Sequence, residues 1–143
     1  MVIIAESDES KRIRGIILAD CTTIDMELSR FLSDYFGETK DKKQELFNLV
    51  FNTDFFNFHK KIEILKRIVN NDFWSDSDAL IEALSWLRKT RNQLAHWLWN
   101  FSKSQDEFSF LKNPKKNDFI RIDNALLKEH EEKFMKILEF FNA

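Results

Sequence analysis

Residues 8–36, DESKRIRGIILADCTTIDMELSRFLSDYF, decide how the rest of the chain is read. Ile13, Ile16, Ile17, Ile24, Leu28, Phe31 and Tyr35 recur at three- and four-residue steps, the spacing of one face of an α-helix. No proline interrupts them, and Gly37 is a natural stop. A helix of this length needs partners for its apolar stripe, and the sequence downstream supplies them in the same texture. A short helix is expected in QELFNLVF (44–51). A third follows in FHKKIEILKRIV (58–69), with Phe58, Ile62, Leu65 and Val69 on its stripe, capped from NTDFFN. The stretch NNDFWSDSD (70–78) reads as turn and cap residues. A fourth helix is predicted from Ser77 to Trp99, carrying Leu80, Leu84, Leu87, Leu94 and Leu98.

The texture then changes. EFSFLKNPKKNDFIRID (107–123) has two short alternating segments around Asn113–Asn117, the pattern of a small β-hairpin or loop insertion. Asp123 or Asn124 can cap a closing helix with Leu127, Phe134, Ile137, Leu138 and Phe141 on its apolar side. With two Gly and one Pro in 143 residues, long helices and short loops are expected throughout. The reading is an all-α, up-and-down bundle of four to five helices with a hairpin before the last, in a single domain spanning 1–143.

Composition narrows the function classes. A net charge of −2 gives no support to a duplex-DNA binder, although 22 Lys and Arg leave room for a local basic groove. One cysteine, Cys21, excludes an intramolecular disulfide and a multi-Cys metal site, and fits a reducing cytoplasm. The N-terminal MVIIAESDESKR lacks the plan of a signal peptide, and no apolar run reaches membrane-spanning length. A cytoplasmic protein with no membrane association is expected. The three histidines have no metal-ligand spacing and no Gly-rich phosphate loop exists, so neither metal nor cofactor is expected.

The residues that break the pattern carry the functional question. Arg91 projects into the apolar sector of the fourth helix, where a guanidinium is costly unless acceptors meet it. Asp20 falls inside the stripe of the first helix, Glu27 lies at its edge, and Lys61 flanks the stripe of the third. Two readings stay open: a shared polar cleft, or a structural brace in which Arg91 pairs with Asp20 or Glu27. Lys61 is expected to carry its ammonium out to solvent. His96 shares a second side of the fourth helix with Asn92, Ile81 and Trp99, flanked by Trp86 and Trp97. There a packed, hydrogen-bonded histidine and a core or dimer-interface aromatic run are the plain expectations. Cys21 reads as a small core residue. LLKEHEEK (126–133) reads as a solvated helix face.

Arg91-Asn92-Gln93-Leu94-Ala95-His96 resembles the signature of the HEPN superfamily: Arg, a polar residue that is often Asn, and His after four to six intervening residues. With LIEALSWLRKT before it and FFNFHKKIEILKRIV upstream, the chain is most similar to the standalone branch that includes mannitol-operon-repressor-type proteins, over roughly Lys11 to Phe141. The resemblance implies a metal-independent endoribonuclease in which two protomers line one composite cleft. Arg91 would hold the scissile phosphate, His96 would serve as general base or acid, and Asn92 would orient phosphate or His96. RNA would be the substrate and a 2′,3′-cyclic phosphate the product. Asp20, Glu27 and Lys61 would be supporting groups around that site, on the stripe geometry. A toxin or phage-defence role, with an antitoxin or regulatory partner, belongs to the same family picture. One subtype departs: toxins paired with a nucleotidyltransferase antitoxin carry Tyr two residues after the His, where this chain has Leu98. The alternative within the family is a non-catalytic regulatory or adaptor module that binds protein, nucleotide or RNA through the same cleft.

Overall fold

The computed structural model describes residues 8–72, 77–96, 98–99, 109–112, 115 and 119–142. Helix α1 spans Asp8–Phe36, as its stripe predicts. Its buried positions step Ile13, Ile17, Cys21, Ile24, Leu28 and Leu32. Tyr35 leaves the stripe: its ring is 44% exposed and its hydroxyl donates to Asp72 Oδ2 at 3.2 Å. The amide of Gly37 closes the last turn on Ser33 O at 2.9 Å.

Helix α2, Lys40–Leu46, starts at an N-cap on Thr39, whose hydroxyl accepts from the Lys42 amide at 3.2 Å. It runs straight into a π-helical turn, Phe47–Phe51, closed by Asn52 N–H donating to Phe47 O at 2.9 Å. The widened turn leaves Phe51 O to another donor, and the buried Ser29 hydroxyl of α1 lies 3.1 Å from it. Helix α3, Phe58–Asn71, is capped by Asn57, which accepts from the Lys60 amide at 3.0 Å.

Helix α4 spans Ser77–His96, three residues shorter than its apolar pattern suggests. Leu98–Trp99 form strand β1, which pairs antiparallel with β2, Ser109–Lys112; Leu98 stands opposite Lys112 and Trp99 opposite Leu111. Strand β3, Phe119–Ile122, completes the sheet in the order β1-β2-β3, with Ser109 opposite Ile122 and Lys112 opposite Phe119. Leu98 therefore belongs to a sheet and not to the helical stripe. The cause is competition: the expected hairpin forms and offers an open edge, and pairing along it wins over another helical turn. Trp97 and, apart from Lys115, the Asn113–Asn117 turn lie outside the described residues, as do residues 1–7 and 73–76. Helix α5, Asn124–Asn142, is capped by Asp123, whose carboxylate accepts from the Leu126 amide at 3.0 Å.

Pairwise contacts give the helix directions. Asp25 meets Lys61 and Tyr35 meets Asp72, so α3 runs parallel to α1. Asp20 meets His130 while Phe31 meets Phe140 and Phe141, so α5 is parallel to α1 too. Glu82 meets Lys133 and Trp86 meets His130, so α4 returns antiparallel between them. The chain thus goes up, back through α2 and its π turn, up, back and up again. Helix α1 is the shared wall: α3, α4, α5 and β3 all pack on it. The main core joins Ile17, Ile24 and Leu28 of α1 to Leu65, Leu84, Leu87, Ile122 and Ile137, all at most 1% exposed. A second cluster of Leu32, Phe51 and Ile68 fills the space under the π turn. No helix among the described residues is long and apolar enough to cross a membrane.

Candidate functional site

Arg91 lies within the apolar sector of α4 but is only half-buried; the buried residues around it are Leu87, Thr90 and Leu94. Its guanidinium sits over the buried ring of Phe58, 5.6 Å from the centroid, an arrangement in which the ring face attracts the cation. Phe58 opens α3, so the Asn57 cap that starts that helix also fixes the surface on which Arg91 rests. Among the described residues no carboxylate is within ion-pairing distance of Arg91. The brace to Asp20 or Glu27 is not formed.

Those two acids have other partners. Glu27 accepts from Arg30 Nη1 at 2.8 Å on the outside of α1. Asp20 Oδ2 is 2.8 Å from His130 Nε2 of α5. Lys61 is a correction to the sequence reading: it is 3% exposed rather than reaching solvent, and its ammonium is ion-paired with Asp25. The stripe explains both pairings. Asp20 flanks Ile17 and Ile24 on the side of α5, and Asp25 flanks Cys21 and Leu28 on the side of α3.

Asn92 and His96 are exposed, and His96 is the last residue of α4. The plain expectation of a packed, hydrogen-bonded His96 is thus replaced by an open imidazole. His96 lies five positions after Arg91, roughly 7.5 Å of rise and about 140° of rotation, so one helix cannot aim both at one atom. Asn92 and His96 share a face at four-residue spacing. Trp86, from the same second side, is half-buried against the core and lies 6.2 Å, centroid to centroid, from His130.

Cys21 lies behind Arg91. The thiol is 1% exposed, and burial pushes its pKa up to about 12 against an opposing pull from the Arg91 charge. The neighbouring charges of Asp20 and Asp25 push the same way as burial. That environment suits a core residue and not a thiolate nucleophile.

His130 is the residue that the sequence reading missed. It is 0% exposed, not part of a solvated face. Its ring stacks on Phe134 at 5.8 Å and 18°, and its Nδ1 has no hydrogen-bond partner among the described residues. Nε2–H donating to the Asp20 carboxylate leaves Nδ1 as the buried lone pair, the less costly tautomer for an orphaned nitrogen. The signal was present in spacing: Leu127, His130, Phe134 and Ile137 form one three- and four-residue series.

Among the described residues no group of three or more His, Cys, Asp or Glu side chains is placed to hold a metal ion. Set against known proteins, the chain matches no family model, no curated protein and no solved structure.

Proposed function

We propose that the chain is a HEPN-type endoribonuclease that acts as a cytoplasmic homodimer on single-stranded or looped RNA. The observation that carries the reading is Arg91: a half-exposed guanidinium with no carboxylate partner among the described residues, one residue from an exposed Asn92 and five from an exposed His96. An unneutralised cation on an aromatic shelf suits a phosphate oxygen. The divergence of Arg91 and His96 along one helix is the reason for a second copy: pairing two α4 ends would bring two Arg–His sets to one cleft.

In that cleft one His96 would take the proton from a ribose 2′-hydroxyl. The 2′-oxygen would attack phosphorus, the 5′-oxygen would leave, and the other imidazole would return a proton to it. The products would be a 2′,3′-cyclic phosphate and a 5′-hydroxyl. The two Arg91 guanidiniums would stabilise the charge gathered on the phosphoryl oxygens. DNA, without the 2′-hydroxyl, would resist.

The test is cleavage of a mixed-sequence RNA in the presence of EDTA by wild type, Arg91→Ala and His96→Ala at matched folded concentration. Cyclic-phosphate ends from the wild type, absent with both variants, are the expected result. A second reading has its own observation: His96 has no orienting partner among the described residues, which suits a non-catalytic regulatory module. Intact RNA with all three proteins, alongside binding that depends on Arg91, would replace the first reading by the second.

A further inference from the structure

Where α2 folds back on the end of α1, the approach is close enough to require glycine at position 37. A Cβ there would lie 2.5 Å from Lys43 Cγ, 2.8 Å from Ser33 O and 2.9 Å from Lys43 Cα. The missing side chain lets the Lys43 stem pass close against the end of α1. Between the two helices opens a concavity of about 400 Å³, lined by Arg30, Asp34, Lys40, Lys43, Gln44 and Phe47. That size is within the range of about 300–1,000 Å³ that small-ligand sites occupy.

Lys42, on the other side of α2, is bonded to Glu45 at 3.1 Å. Lys40, Lys43 and Asp34 border one hollow, yet none of them is ion-paired among the described residues. Lys40 and Lys43 stand three apart on a seven-residue helix, a like-charge spacing that weakens it. Arg30 commits Nη1 to Glu27 and keeps its other donors. Three cations against one carboxylate leave the wall net positive, and half-buried Phe47 adds an aromatic surface.

We infer that this concavity is a binding site for a nucleoside monophosphate. Lys40 and Lys43, with Arg30, hold the phosphate by charge-assisted hydrogen bonds. Asp34 accepts from ribose hydroxyls, and the base lies against Phe47 with Gln44 at its edge. The single carboxylate selects for a nucleotide over a bare polyanion, since it repels added phosphate charge while welcoming a diol. The site is separate from the Arg91 face: Arg91 acts on Cys21, and Arg30 lies nine residues further along α1, roughly 13 Å. The inference therefore stands without the ribonuclease reading.

The experiment is titration calorimetry of the whole chain with AMP, GMP, CMP and UMP, then with adenosine and inorganic phosphate. At least one monophosphate should saturate with a Kd below about 1 mM. Nucleoside and phosphate alone should each bind at least about tenfold more weakly, and Lys40→Ala or Lys43→Ala should weaken the nucleotide by about tenfold. Lys43→Gln, which keeps the stem over Gly37, should weaken it similarly with helicity unchanged. Arg91→Ala and His96→Ala should bind like the wild type. No saturable nucleotide overturns the inference. So does phosphate that binds as tightly as nucleotide, affinity indifferent to both lysines, or binding lost with Arg91.

Discussion

Replacing Asp25 by alanine should be among the more damaging single changes available on α1, although the residue is a quarter exposed. Its carboxylate is the ion-pair partner of Lys61, whose side chain is 3% exposed against 26% for Asp25. Removing the acid strands an ammonium between α1 and α3, a situation that costs about 3–5 kcal/mol when both partners are fully buried. Water already reaches Asp25 and can move toward the ammonium, which brings the expected cost down to about 2–3 kcal/mol. For a chain of this length that is roughly 7–10 °C in Tm. Lys61→Met should behave differently. It keeps the stem volume against Phe58 and Leu65 and leaves a carboxylate that solvent can reach, so its change should be within about 1 kcal/mol of zero. The double variant should recover most of the loss of Asp25→Ala, giving a coupling of about 2 kcal/mol. Urea denaturation followed by circular dichroism, with unchanged slope, measures all three. The reasoning fails if Asp25→Ala lies within about 0.5 kcal/mol of wild type, or if Lys61→Met is as damaging as Asp25→Ala.

Arg91→Ala should lose about 0.5–1 kcal/mol, the worth of its seat on Phe58, in the same denaturation assay; a loss above about 3 kcal/mol would instead mark a brace. His130→Ala should cost about 2–4 kcal/mol through the cavity it leaves, while His130→Phe, which keeps the stack on Phe134 and removes the orphaned Nδ1, should cost under about 1 kcal/mol. Equal damage from both would make the Asp20 hydrogen bond the dominant contribution. Cys21 gives a pH dependence: its folded pKa of about 12 exceeds its ordinary 9.0, so the unfolded chain sheds the thiol proton first. Its contribution is complete below about pH 9 and declines by at most about 1.4 kcal/mol per unit above it. Subtracting the stability–pH curve of Cys21→Ala from that of wild type isolates this slope, and a flat difference from pH 9 to 10.5 would contradict it.

The helices were legible because their stripes are long: α1 and α3 begin where the apolar series and the Asn57 cap place them. The end of α4 was not, since Leu98 extends the helical series as well as it alternates in a strand, and only the β2 edge decides between the two. Local pattern identified Asp20, Lys61 and Arg91 as misfits on dry faces, but not their partners, because pairing depends on which helix packs on which flank of α1. Asp25 escaped notice one position beyond Ile24, and His130 was hidden by the five charged residues among its neighbours from Lys128 to Lys133. For the candidate site, His96 stands at the end of α4, the same boundary that the pattern left undecided.

The parallel course of α1 and α5 has a consequence for synthesis. Asp20 and His130 are 110 residues apart in sequence, so the last flank of the first helix waits for the last helix. At translation rates of about 5–20 residues per second, that edge emerges roughly 5–20 s before its cover does. During that interval α1 presents Ile17 and Ile24 beside an Asp20 whose partner has not yet been made. The carboxylate keeps water on the waiting edge, and the nascent helix has one charged position in the seam where self-association would otherwise start. A residue that reads as a defect in the finished core is, for a growing chain, the gatekeeper of its longest unpaired surface.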